Sequence, residues 1–279
     1  MITKQDIINY YEHCEVDYRW VWGLNDNLAM HYGFWDTNTY TLDEALTNIN
    51  RLLAEKAGIK KTDKVLDAGC GVGGSAVYLA KTIGCHVTGI TLSERQVMNA
   101  SENAAANAVQ HLIVFQKQDY TCTGFADGSF DVVWGIESVC YAADKKEFFN
   151  EAYRLLNKGG RMVVADFFKT HADNNQIGIY KKFVDGWAVA DFAEIDEFIN
   201  QAEAAGFGSI DAADITVNVA PSAKRLYLAS FPGFILHYPL ELLGVRNRMN
   251  RKNLLTAYLQ YVTLKKGLWK YYLVSAVKK

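Results

Sequence analysis

Three groups of residues in this 279-residue chain combine chemistry with spacing that suggests a site. The first is Val65-Leu66-Asp67-Ala68-Gly69-Cys70-Gly71-Val72-Gly73-Gly74-Ser75, where an apolar run ends on a carboxylate and breaks into glycines. Glycines let a backbone turn tightly and approach a ligand, and a helix starting behind them offers unpaired N–H groups. Asp67, ahead of the glycines, is placed to face a cationic group. The second is Glu137, just past the apolar run Phe130 to Trp134; a carboxylate there is costly unless it is used or paired. The third is His31-Tyr32, an imidazole beside a phenol, both groups able to exchange a proton. For these two the alternative is packing, and for Glu137 it is a hydrogen-bond anchor for the start of the chain.

The elements that must position these groups follow from periodicity. Lys64 to Ala68 reads as a strand, Gly73 to Thr82 as a helix, His86 to Ile90 as a strand and Ser93 to Asn107 as an Ala-rich helix. Leu112 to Phe115 and Phe130 to Trp134 follow as apolar strands, Lys145 to Leu156 as an amphipathic helix, and Arg161 to Ala165 as another buried strand. Such alternation implies parallel βαβ units with right-handed crossovers. Ile195 to Ala205 reads as a helix stopped by Gly206, Ile210 to Val217 as a strand, and Tyr271 to Val274 as a last strand. The division expected is a helical cap over 1–58, a core over 59–217, a helical lid insertion over 218–268 and a final core strand over 269–279. Cap and lid together would roof the carboxyl ends of the strands, where open α/β sheets bind ligands.

Half the residues are hydrophobic and 22% charged, the balance of a soluble globular protein. The polar opening Met1 to Asp6 lacks the apolar core of a secretory signal, so a cytoplasmic location is expected. The apolar stretch Leu226 to Val245 contains Pro232, Pro239, His237 and Glu241, whereas a spanning helix wants about 20 uninterrupted apolar residues. Five cysteines without a C-x-x-C pair suggest neither a disulfide framework nor a metal site. Net charge is −2, but from Lys224 onward eleven Lys or Arg face Glu241 alone, a surplus of +10 that leaves −12 on the rest. That asymmetry suits an anionic or lipid-like acceptor, or peripheral contact with membrane, as readily as a solvated face. No nucleic-acid motif accompanies it.

A glycine-rich turn alone would serve a dinucleotide as well as S-adenosylmethionine (SAM). Two details favour SAM: the acid precedes the glycines, and the second strand ends in Thr91, not in the ribose-binding acid of a dinucleotide site. Asp67-x-Gly69-x-Gly71-x-Gly73-Gly74 with Gly89-Ile90-Thr91-Leu92-Ser93-x-x-Gln96 resembles the class I SAM-dependent methyltransferases, in the branch of tocopherol, sterol and prenyl diphosphate enzymes. The resemblance continues through Met30-His31-Tyr32-Gly33, Gly135-Ile136-Glu137-Ser138, the segment Lys145 to Gly160, Asn218 to Pro221 and Leu264 to Leu268. It implies an α/β fold, a Rossmann-like, doubly wound, mostly parallel seven-stranded sheet with a helical cap and a helical insertion. It also implies that Asp67, Gly69, Gly71 and Gly73 hold the methionine part of SAM, with Thr91 and Gln96 near the ribose and Asp119 at the adenine. Tyr10 and Tyr11 would close over the methionine end, and Trp187 would wall the acceptor pocket.

The expected activity is methyl transfer to a small or medium, partly apolar acceptor: an isoprenoid, a sterol-like molecule or a prenylated aromatic, at carbon or oxygen. Glu137 is the first catalytic candidate, with His31 and Tyr32 beside it. Aromatic clusters at Tyr18 to Trp22 and Tyr32 to Trp35 favour an apolar pocket, yet a small amine as acceptor stays open. From another class, a non-catalytic SAM-sensing or lipid-binding module stays open too.

Overall fold

The computed structural model describes residues 2–21 and 23–279, and it builds one sheet in the order β3-β2-β1-β4-β5-β7-β6. Its strands are β1 (Lys64–Ala68), β2 (His86–Thr91), β3 (Ile113–Lys117), β4 (Phe130–Ile136), β5 (Leu156–Lys169), β6 (Phe207–Asp214) and β7 (Trp269–Lys278). β1 to β5 pair in parallel, whereas β7 runs antiparallel between β5 and β6. Three helices precede the sheet: α1 (Lys4–Val21), the short α2 (Leu24–Asn27) and α3 (Leu42–Ala57). Within it come α4 (Gly74–Thr82), α5 (Glu94–Ala106), α6 (Lys145–Leu155), α7 (Gly178–Gly186) and α8 (Ile195–Ala204). The long pair α9 (Thr216–Leu242) and α10 (Arg248–Lys265) separates β6 from β7. This is the Rossmann-like arrangement expected.

Strand side chains alternate between two cores, as the pleat requires. Along β4, Val132 and Trp134 join Val65 and Val163 on one face, while Val133 joins Leu66 and Val164 on the other. From β1 the chain builds outward to β2 and β3, then returns to lay β4 against the other side of β1. The carboxyl ends of β1 and β4 therefore flank the topological switch point, where such sheets open a crevice. Asp67 is in register with Trp134 across that seam, so the glycine turn and Glu137 emerge as neighbours.

The roof is tied down by polar bonds of α1. Glu12 accepts from Ser93 Oγ at 2.8 Å, Glu15 pairs with Arg95 at 2.8 Å, and Asp17 pairs with Arg246 beyond α9. Asn253 of α10 adds a bond to Asp17 at 3.0 Å. One expectation needs correction: the strand placed at Ile210 to Val217 ends at Asp214, and Thr216 already opens α9. Asp214 Oδ1 accepts from the Thr216 N–H (3.0 Å) and Oγ1 (2.5 Å), turning the chain out of the sheet. Pro221, Pro232 and Pro239 all lie inside α9. Among the described residues no helix is long and apolar enough to cross a membrane.

Candidate active site

Two cavities adjoin beneath this roof. The first follows the glycine turn and is lined by Asp67, Gly69, Gly71, Thr91, Gln96 and Asp119, with His31 and Tyr11 closing it. The second, about 930 Å³ including its open mouth, is aromatic, with Tyr18, Tyr32, Tyr141, Phe167 and Trp187 in its walls. Tyr11, Met30, Glu137 and Tyr141 line both, so the cavities meet at these four side chains.

Asp67 is 3% exposed, and its Oδ2 has no hydrogen-bond partner among the described residues. Burial alone pushes its carboxyl from 3.8 to about 7. A buried carboxylate with an orphaned oxygen is expensive unless a cation completes it. The turn beside it is shaped for close approach: Gly69 and Gly71 have φ of 96° and 52°, and a Cβ on Gly69 would run into Ser138. Gly73 differs from the expectation, because it does not line the cavity. It caps α4 at φ 85°, and a Cβ there would stand 2.7 Å from Phe115 Cζ, so its smallness serves helix-on-sheet packing.

Farther along the cavity Thr91 Oγ1 donates to Gln96 Oε1 at 2.5 Å, and Ser93 caps α5 by accepting from the Gln96 N–H. Asp119 accepts from the Thr121 N–H (2.9 Å) and pairs with Lys4 of α1. Tyr10 and Tyr11 part company. Tyr11 reaches both cavities and donates to Tyr141 at 3.0 Å, whereas Tyr10 points into the seam with α10, donating to Asn253 Oδ1 at 2.8 Å and bonding Tyr18.

Glu137 is the junction of the site. Its φ is +49°, a left-handed conformation rare outside glycine, held at the end of β4 by its N–H donating to Ala165 O at 2.9 Å. Oε1 accepts from the Tyr32 N–H (2.7 Å) and Tyr271 Oη (2.9 Å), while Oε2 makes no hydrogen bond within the described residues. One oxygen thus anchors the segment before α3, as the structural alternative supposed, and the other stays available. Burial drives this carboxyl from 4.5 to about 8, over the opposing pull of the Tyr32 and Tyr271 donors. Its alignment rests on β7, where Tyr271 is in register with Phe167.

His31 and Tyr32 face opposite cavities. His31 lies on the glycine-lined cavity, buried, its Nδ1 bonded to Tyr32 O at 3.0 Å and its Nε2 without a partner among the described residues. Burial lowers it to about 4, so it is neutral near pH 7, with Nδ1 as donor and Nε2 carrying the lone pair. Tyr32 lies on the aromatic cavity, its hydroxyl donating to Gln260 of α10. Trp187 packs against Phe167 (5.2 Å between centroids) and Phe183 (5.0 Å). Trp22 and the side chain of Trp20, from the aromatic cluster noted in the sequence, lie outside the described residues.

Several site residues carried no local signal. Tyr141 sits on a short turn clamped from two sides: buried Lys145 donates to Cys140 O (2.9 Å) and Ala142 O (2.5 Å), and Asp166 accepts from the Cys140 N–H at 2.8 Å. Tyr141 then donates to Trp187 O at 3.1 Å. Asp17 and Arg246 form the polar end of the aromatic cavity. Among the described residues no group of three His, Cys, Asp or Glu is placed to hold a metal ion.

Comparison with known proteins agrees with this geometry. Residues 66–164 match the family described as a methyltransferase domain. The 27-O-demethylrifamycin SV methyltransferase of Amycolatopsis mediterranei (strain S699) is 32% identical over 203 residues, 72% of this chain and 73% of that protein. The chloroplastic tocopherol O-methyltransferase of Arabidopsis thaliana is 30% identical over 237 residues, 78% of this chain and 67% of that one. The crystal structure of the cyclase SpnF superposes with a TM-score of 0.80 over 99% of this chain and 96% of its own, at 22% identity. That last likeness is one of fold, and its different activity shows why fold alone assigns no chemistry. On the sequence relationship, the chain belongs to the class I SAM-dependent methyltransferases, with SAM as its methyl donor.

Proposed function

We propose that this enzyme methylates a hydroxyl group on a small or medium, partly apolar acceptor, with Glu137 receiving the proton. The observation that carries the reading is the meeting of a glycine-lined, carboxylate-bearing cavity with an aromatic one at Glu137. When bound, SAM supplies a methyl group on a sulfonium, ready for in-line displacement.

Asp67, with its orphaned oxygen, is suited to the ammonium of the donor, and Gly69 and Gly71 to the close approach of its chain. Thr91 and Gln96 lie farther along that cavity, where the ribose would rest, and Asp119 lies where the adenine would. His31, neutral and open at Nε2, faces the donor side as a hydrogen-bond acceptor. Tyr11, Met30 and Tyr141 narrow the passage between the cavities, which aligns the reactants and excludes water.

A hydroxyl needs a base as it is methylated, and a base works best with a pKa near the operating pH. The high-lying carboxyl of Glu137 meets that condition, since a sulfonium nearby would draw it back toward neutrality. Both relatives named above carry names of O-methylating enzymes, or of an O-demethylated substrate, which is compatible with oxygen as the methylated atom. The test is labelled SAM with a panel of prenylated phenols, sterols, macrocyclic alcohols, prenyl diphosphates and small amines, with products solved structurally. Methyl transfer confined to amines or alkenes would overturn the assignment.

A further inference from the structure

We infer that the outer face of α9 and the turn after it form a docking surface for an anionic lipid bilayer. Leu228, Phe231, Ile235, Tyr238 and Leu242 recur at alternating steps of three and four, which places them on one stripe of the helix. All five are exposed, from 46% at Phe231 to 77% at Ile235. Leu243 (74%) and Val245 (70%) extend the stripe around the turn to α10. Isolated exposed apolar residues are ordinary, whereas a continuous stripe with its rim of charge marks an interaction surface.

The rim is cationic. Arg248, Arg251 and Lys252 are exposed on the first turns of α10, directly after the apolar turn. Across Thr216 to Lys265 seven Lys or Arg face Glu241 alone, a surplus of +6. That acid is already held by His237 at 3.2 Å and Arg251 at 3.8 Å. An apolar stripe beside a band of cations has the composition of a helix that lies in the interface of an anionic membrane. The same surplus opposes a second copy of the chain, because pairing the two lobes would bring like charges together.

The opposite side of α9 adds a reason for the placement. Leu226, Ala229, Ser230 and Gly233 of this helix line the acceptor cavity, and Arg246 from its turn lines it too. A bilayer seated on the stripe would therefore lie one helix away from the cavity, and a lipid-dissolved acceptor would have a short path inward. This entry route rests on the acceptor reading above, while the docking itself does not.

The experiment is co-sedimentation of the full chain with phosphatidylcholine vesicles, with and without phosphatidylglycerol, in the absence of any acceptor. One variant carries Ile235→Ser, Leu242→Ser and Leu243→Ser; the other carries Arg248→Ser, Arg251→Ser and Lys252→Ser. None of these six lines either cavity, and circular dichroism checks that each variant folds. The wild type is expected to bind the phosphatidylglycerol vesicles, with roughly a hundredfold weaker partition after loss of three cations. Loss of the three apolar side chains is expected to weaken it more than about tenfold. Wild-type protein that stays in the supernatant with both vesicles, or binding unchanged in both variants, would overturn the inference. So would a wild-type dimer that the Ile235, Leu242 and Leu243 changes dissociate without any vesicle binding. Because the readout involves no turnover, failure of the acceptor assignment and failure of docking are seen separately.

Discussion

Asp67→Asn is expected to move stability and cofactor affinity in opposite directions. The wild-type carboxyl is raised by burial from 3.8 to about 7, at a site 3% exposed. Between those values the unfolded chain has released a proton that the folded chain retains, so stability falls as pH rises through that window. At about 1.4 kcal/mol per pH unit the full penalty reaches up to about 4 kcal/mol above pH 7. The amide has nearly the same shape and no ionisation, so the variant should gain on the wild type with pH. The gain should grow by roughly 2 to 3 kcal/mol between about pH 5 and about pH 8 in urea unfolding of the donor-free protein. Taking the difference between variant and wild type cancels Glu137 and Asp166, which burial also raises, to about 8 and about 6. The same change removes the partner proposed for the donor's ammonium, so calorimetry should show SAM binding weakened by about a hundredfold or more. A variant no more stable than wild type at high pH would show that Asp67 is not the strained acid described. Unchanged SAM affinity in a folded variant would remove it from the cofactor site.

Glu137→Gln keeps an oxygen for the Tyr32 N–H but cannot take a proton, so kcat should fall by about a hundredfold or more with SAM affinity nearly unchanged; wild-type single-turnover rates in this variant would strike it from the catalytic role. Tyr271→Phe deletes a donor that holds the Glu137 carboxyl down, so the limb over which kcat rises with pH should shift to higher pH; an unmoved limb means Glu137 is not the titrating base. Gly69→Ala forces a side chain onto a backbone at φ 96° and into Ser138, with an expected cost of about 1 to 3 kcal/mol in thermal unfolding and weaker SAM binding. Wild-type values of both would show that the turn is less constrained than its geometry says.

What could be read in advance was local along the chain. Asp67, the glycines and Glu137 each sit at a strand end marked by its own apolar run, so sequence order alone placed them at the carboxyl edge of the sheet. The partners of Glu137 were of another kind. Tyr271 reaches it only because β7 enters antiparallel beside β5, a pairing between residues more than a hundred positions apart in the chain. Asp17 and Arg246 are likewise brought together by the docking of α1 against α10, and no spacing rule connects them. Neighbouring positions posed the opposite problem. Tyr10 and Tyr11 are both aromatic on one helix, yet a step of about 100° sends one to the cavities and the other into a helix seam.

His31 and Tyr32 show how that ambiguity bears on mechanism. The pair looked like one catalytic group in the sequence, but adjacent side chains of a non-helical segment diverge, and here they fall on either side of Glu137. Tyr32 donates its hydroxyl to Gln260 and its N–H to Glu137, and burial holds its phenol well above the ordinary range, which suits it to positioning the carboxylate rather than to the base proposed. His31 is lowered to about 4 and faces the glycine-lined cavity, so under the proposed reading it is a weak base placed away from the hydroxyl to be methylated. Glu137 is the one of the three whose acidity and access suit the proposed proton removal: it lines both cavities, and burial lifts its carboxyl to about 8. The proposed chemistry therefore falls to one side chain whose backbone is strained, whose one oxygen is pinned and whose other oxygen is available where the two cavities meet.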